Sequence, residues 1–297
     1  MTRPFLGIAL GGGGARGAAH IGVLQELDNA GIKADLIAGV SAGAIIGAMY
    51  AYSHDASWIE DQFRKVWTSK TFSNTSTKRF LNGRTPRSLA GKITKIFSDH
   101  LLAMISLHKR SIIDNQPIRD IITSLIPVSS FDELKIPLKI ISTDLDTGAD
   151  IVYEEGDLFD AIIKSCTIPG VIEPLGSNSE NIVDGGIGMP VPIPALKDHC
   201  EFTLAIDIGL YKLQKLDSPN VLSMTKRAEV ITSNRLKTKL ASEADFVIQP
   251  DTMGMHWTDF EGSEQLFNNG RSAARDSVSN LKEKIQQKKT LLTRKNS

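Results

Sequence analysis

The chain has 297 residues, 41% of them hydrophobic, and carries 34 Lys and Arg against 34 Asp and Glu. That length can bury a large core, and a net charge of zero removes the global basic signature of a nucleic-acid binder. Two cysteines, Cys166 and Cys200, are too few for a disulfide framework, and no apolar run approaches the ~20 residues of a membrane span. The expectation is a cytoplasmic protein whose membrane contact, if any, is peripheral.

The first apolar run, Pro4 to Leu10, stops at glycine and reads as a buried strand. A helix follows, with Ala19, Val23, Leu24 and Leu27 on one face and Gly31 as its stop. Ala34 to Val40 is a second strand, and "AGAIIGAMYAY" a second helix. This opening predicts an α/β fold with a parallel sheet. Later strands are predicted at Pro137 to Leu145, Ala149 to Glu155, Asn181 to Asp184, Phe202 to Gly209 and Asp245 to Pro250. Helices are predicted at Leu158 to Cys166, Asn220 to Leu240 and Gly262 to Lys284. A single domain over 1–297 is expected, with a C-terminal helical region at about 262–297.

An insertion at about 69–115 interrupts this pattern. Between Lys70 and Arg110 nine basic residues face one acid, Asp99, a local charge of +8. Leu89, Ile93, Ile96, Phe97, Leu101, Met104, Ile105 and His108 fall on helical spacing. Such a basic amphipathic helix either packs on the core or meets anionic lipid as a cap. The tail "KEKIQQKKTLLTRKNS" is also basic and reads as a frayed surface helix end.

Three motifs carry chemistry. "LGGGGARG", Leu10 to Gly17, lies between a strand and a helix. Gly12, Gly14 and Gly17 fit dinucleotide spacing, but that fingerprint wants an acid closing the second strand. Here Asp35 precedes the strand, which ends in Gly39-Val40-Ser41. A phosphate loop needs Lys-Ser/Thr after the last glycine, and none follows Gly17. Apart from a plain tight turn, the remaining reading is an oxyanion hole built from glycine N–H groups at a helix N-terminus.

"GVSAG", Gly39 to Gly43, is a G-x-S-x-G between a strand and a helix, the setting of a nucleophile elbow. A serine that merely caps the helix would look the same. The base is not obvious. Of the six histidines, His256 sits best for a triad, while His20, His54, His100, His108 and His199 lack a motif. "NIVDGG" ends a short strand in Asp184-Gly185-Gly186; alone it is an ordinary Asp-Gly turn. In "DLDTGAD", Asp144, Asp146 and Asp150 hint at calcium. The glycine falls one place early for that loop, and a Thr-Gly hairpin explains the run.

Taken together, "GGGGARG", "GVSAG" and "DGG", with "SCTIPGVIEP" (Ser165 to Pro174), resemble the patatin-like phospholipase family, including its compact bacterial members. The likeness runs from about Leu6 to Gly209; "DFVIQP" is similar to a late family strand. The resemblance implies a three-layer α/β/α fold around a central mostly parallel sheet; the basic insertion, its least family-like part, is read as a cap. It implies a Ser-Asp dyad, with Ser41 as nucleophile and Asp184 as base. Gly12, Gly13 and Gly14 would supply oxyanion N–H groups, and Arg16 is the family's basic residue in that loop. Gly17, Gly39, Gly43, Gly185 and Gly186 are the motif glycines. A metal-independent serine acyl hydrolase without cofactor is implied, acting on a phospholipid or lysophospholipid. The rivals are an acyltransferase or thioesterase on a related fold, which would favour histidine where Val40 stands, and a catalytically silent binding protein.

Overall fold

The computed structural model describes residues 3–68, 111, 114–175, 180–209, 212–213, 215–216, 219–260 and 262–296. The basic insertion, cap helix included, therefore lies almost wholly outside the described residues. The strands are β1 (Leu6–Leu10), β2 (Leu36–Val40), β3 (Leu138–Asp144), β4 (Asp150–Tyr153), β5 (Ile182–Asp184), β6 (Phe202–Ile206) and β7 (Phe246–Ile248). They form one sheet in the order β4-β3-β2-β1-β6-β7, with β5 pairing β3. The pairs β3/β2, β2/β1, β1/β6 and β6/β7 are parallel. Both β4 and β5 run antiparallel to β3.

The helices are α1 (Ala18–Asn29), α2 (Ala42–Ser53), α3 (Ala56–Thr68), α4 (Gln116–Leu125), α5 (Leu158–Cys166), α6 (Pro194–Lys197), α7 (Val221–Ala241) and α8 (Ser263–Asn296). They cover both sheet faces, so β1, β2 and β6 are buried throughout and read as continuous apolar runs. The two faces differ. Leu6, Ile8, Leu10, Ile37, Ile140, Leu204 and Ile206 face a large core shared with α1–α5 and α8. Ala9, Ala38, Val40, Ile141 and Ala205 face a smaller one, shared with α6 and the end of α7. This is the expected three-layer α/β/α arrangement.

Several predicted boundaries shift. The strand predicted to run on to Gly209 stops at Ile206, and those predicted at Ala149 and Asp245 shorten to β4 and β7. Helices α3 and α4 were not predicted; the charges of "EDQFRK" and the short length of α4 hide their apolar faces. The last helix, expected to end near Lys284, runs unbroken to Asn296 through the basic tail. The hairpin at "DLDTGAD" is present: β3 and β4 pair antiparallel, and Gly148 takes φ +74°. Asp144 organises its turn by accepting from Asp146 N–H and the Thr147 hydroxyl. Among the described residues, no helix is long and apolar enough to cross a membrane.

Helix α8 packs on α1 through a pair of glycines. A Cβ on Gly270 would lie 2.2 Å from the Ala19 carbonyl oxygen, and one on Gly22 would lie 2.1 Å from that of Phe267. Arg271 then reaches Gln25 of α1 at 2.8 Å and the Glu60 carboxylate of α3, tying three helices together. Gly270→Val should force these backbones apart and lower the unfolding free energy by about 1–3 kcal/mol. Urea denaturation reads this directly, and an unchanged midpoint would refute the close crossing.

Candidate active site

Strand β3 sets the geometry. Ser142 and Thr143 pair with both β4 and β5, so those two strands lie on opposite edges of β3. Strand β2 shares the β5 edge. Its ladder ends at Val40↔Ile141, and the β5 ladder begins at Asp184↔Ser142. Chain direction thus delivers Ser41 and Asp184 to neighbouring register positions. The Ser41 hydroxyl stands beside the Asp184 carboxylate and favours its ionised form.

Ser41 is the residue between β2 and α2. Its φ of 55° is on the left-handed side that side chains avoid, a strain of about 1–3 kcal/mol that surrounding contacts must hold. Its N–H donates to Ser165 Oγ at 2.9 Å, and that hydroxyl donates onward to Ile141 O at 2.6 Å. Its carbonyl accepts from Ala44 N–H at 2.8 Å. The motif glycines clear the space. A Cβ on Gly39 would sit 2.4 Å from Gly43 O, and one on Gly43 would sit 2.1 Å from Leu10 O. Gly17 abuts the Ala42 side chain, and Gly185 the Ile141 carbonyl.

Asp184 is 8% exposed and Ser41 9%. The Asp184 N–H is fixed by Thr167 O at 2.8 Å, and its Oδ1 accepts from Gly186 N–H at 2.7 Å. Burial pushes its carboxyl up to about 6, against the opposing pull of the Ser41 hydroxyl, the Gly186 N–H and the Lys237 charge. Cys166, at the end of α5, lines the same cavity as Ser41. Burial and the Asp184 charge push that thiol well above its ordinary range, so it stays protonated.

The glycine loop lies against this turn, since a Cβ on Gly12 would be 3.5 Å from Ser41 Cβ. The three expected donors differ in their partners. Gly12 N–H is committed to Pro190 O at 3.0 Å, so it has no bond left for an oxyanion. The N–H groups of Gly13 and Gly14 donate to nothing among the described residues. Gly14 takes φ +57° and lines the same cavity as Ser41. Arg16 is buried and folds back on its own loop, its Nε donating to Gly13 O at 3.1 Å.

His256, the triad candidate, is not brought into use. Its Nδ1 pairs with Thr258 Oγ1 at 2.7 Å, and burial and the Arg16 charge lower its pKa. His20 lies behind the loop, 2.8 Å from Gly11 O. Sequence reading missed Ser165 and Cys166, which sit in "SCTIPG" and were quoted only as part of a pattern. It missed Lys237 as well, which nothing local in α7 signals.

Beside Ser41 lies a cavity of about 170 Å³ with an almost wholly apolar lining. Ile45 and Ile46 of α2, Phe63 of α3, Ile121 and Leu125 of α4 and Trp257 form much of its wall. A side chain set that apolar favours an aliphatic ligand group.

The family model for patatin-like phospholipase matches residues 8–197. An uncharacterized NTE family protein of Mycobacterium tuberculosis is 32% identical over 209 residues, covering 70% of this chain and 50% of that protein. The neuropathy target esterase sws of Drosophila melanogaster is 29% identical over 212 residues, covering 70% of this chain and 13% of its own length. The chain thus spans half or less of these relatives. Among solved structures, VipD from Legionella pneumophila is similar at a TM-score of 0.49 and 14% identity, covering 94% of this chain and 67% of that one.

Ser165→Ala should leave the Ser41 N–H and the Ile141 carbonyl short of a partner in a buried site. A loss of about 1–3 kcal/mol in denaturant unfolding is expected, with slower labelling of Ser41 by a fluorophosphonate. No change in either would remove Ser165 from the site.

Proposed function

The chain belongs to the patatin-like phospholipase family, and we propose that it is a serine acyl hydrolase of lipid esters that works through a Ser41-Asp184 dyad. The observation that carries this reading is the position of the Ser41 hydroxyl. It stands beside a buried carboxylate, whose ionised form it favours, and lies on the wall of an apolar cavity. The cavity suits a fatty acyl chain, and the family membership and the neuropathy target esterase relative support an ester as the scissile bond. A phospholipid or lysophospholipid is the substrate this combination favours.

In the proposed reaction Ser41 Oγ attacks the ester carbonyl carbon while its proton passes to Asp184. The carbonyl electron pair moves onto oxygen, where Gly13 and Gly14 N–H receive it. Collapse of this tetrahedral intermediate breaks the bond to the alcohol, which takes the proton from Asp184 as it leaves. Water then gives a proton to Asp184 and attacks the acyl-serine. The second collapse returns that proton to Ser41 Oγ and frees the fatty acid. A carboxyl near 6 is a stronger base than an ordinary aspartate, yet is ionised at neutral pH. Arg16 touches no reacting atom in this scheme; it holds the loop.

The basic insertion at about 69–115 extends the proposal to a membrane partner. The +8 charge of its Lys70 to Arg110 stretch suits the anionic lipid that would present the substrate.

Ser41→Ala should abolish hydrolysis of a p-nitrophenyl ester with the thermal melt preserved, and a fluorophosphonate should label Ser41 in the unmodified chain by mass spectrometry. Asp184→Asn should lose activity likewise, whereas His256→Ala should keep most of it; the reverse pattern would favour a triad. Because the base must be ionised, kcat/KM should fall about tenfold per pH unit below pH about 6. A flat acid profile would sink Asp184 as the base. Replacing Lys92, Lys95, Lys109 and Arg110 with glutamine should weaken co-sedimentation with anionic liposomes at low salt, and equal binding would refute the interfacial role.

A further inference from the structure

Three basic side chains from three elements each take one carbonyl of the glycine loop. His20 of α1 lies 2.8 Å from Gly11 O. Burial lowers its pKa to about 4, so the ring is neutral and Nε2–H donates. Lys237 of α7 donates from Nζ to Gly12 O at 3.0 Å. Arg16 donates from Nε to Gly13 O at 3.1 Å. In a trans peptide the carbonyl and the following N–H point in opposite directions, and every described peptide bond is trans. Each held carbonyl therefore fixes the N–H that follows it: Gly11 O that of Gly12, Gly12 O that of Gly13, and Gly13 O that of Gly14. Gly12 N–H meets Pro190; the next two are the proposed oxyanion donors.

Lys237 is the unexpected member of the row. It is 7% exposed, and a lysine is rarely buried so far without a partner or a task. It belongs to a helix outside the matched residues 8–197. The titratable groups that face it are Arg16 from the loop, Asp207 after β6 and Asp184 at the end of β5, which carry charge, and the neutral His20 from α1.

We propose that Lys237 is a positioning residue for the acyl hydrolase reaction, its ammonium aiming the Gly13 N–H at the oxyanion and favouring the carboxylate form of Asp184. This rests on the hydrolase reading above and extends it to a helix that the motifs do not include. Lys237 makes and breaks no bond and exchanges no proton in turnover.

Burial and the Arg16 charge lower its pKa to about 8, while Asp207 and Asp184 pull it up. The ammonium is therefore lost in mildly alkaline solution. Among its neighbours, Arg16 stays charged, His20 stays neutral, and Asp184 is ionised well below that pH.

The test uses the full chain, p-nitrophenyl butyrate and a fluorophosphonate. In the unmodified chain, kcat should decline above pH about 8. Lys237→Met should lower kcat by roughly tenfold or more, leave KM within about twofold, slow phosphonylation of Ser41 in parallel and remove the alkaline decline. Lys237→Arg keeps the cation and should recover much of kcat, with no decline up to pH 10. If Lys237→Met fails to melt cooperatively, the arginine variant alone decides. A decline still centred near pH 8 in either variant, or a normal kcat in Lys237→Met, overturns the proposal. If Ser41→Ala is inactive while Lys237→Met is normal, only Lys237 falls. If the unmodified chain neither hydrolyses the ester nor labels at Ser41, the hydrolase reading falls and takes this one with it.

Discussion

The site depends on one register step along β3. Strand β2 stops pairing at Ile141, and β5 starts at Ser142 on the same edge. A parallel strand therefore ends where an antiparallel one ends, and both release a residue at that point. Ser41 leaves β2 into a strained turn, and Asp184 leaves β5 into two glycines. No loop has to carry either residue across space. Both stand on strand ends, the most rigid mounting the fold offers, and Ser165 ties Ser41 to β3 through Ile141.

The unequal faces of the sheet serve the same end. Small residues on one face, Ala9, Ala38 and Ala205, let α6 and α7 come close. That proximity brings the Lys237 ammonium to the back of the glycine loop. On the other face, large aliphatic residues and helices α2–α4 build the apolar wall of the cavity. One side of the sheet thus supplies charge and the other supplies hydrocarbon, and the Ser41 turn sits at the C-terminal ends of the strands between them.

Most of this could be read before any coordinates. Glycine runs and strand-turn-helix punctuation are local signals, so the positions of the loop, Ser41 and Asp184 were legible, as was the layered fold. What stayed hidden depends on contacts far apart in sequence. Lys237 lies 225 residues from its carbonyl partner, and Ser165 lies 124 from Ser41; no spacing rule reports such pairs. Gly12 shows the opposite limit. Its motif position is clear, but only the fold reveals that Pro190 occupies its N–H. Helix α3 escaped because its charges mask its apolar face: Glu60 turns inward to Arg271, while Arg64 bridges at the surface to Glu264.

The same charges explain why a carboxylate, and not an imidazole, suits the place beside Ser41 on the proposed reading. A histidine base becomes a cation as the oxyanion forms. Here that cation would stand among Arg16 and Lys237, and the existing histidines register the cost. Lys237 helps depress His20, and Arg16 helps depress His256, each adding to burial. An aspartate base instead becomes neutral when it takes the proton. One negative charge then moves from Asp184 to the ester oxygen, and the net charge of the site does not change. The cations behind the loop are matched to that single charge before and after the step. Little rearrangement is needed between the two states, which is the physical meaning of a preorganised oxyanion site.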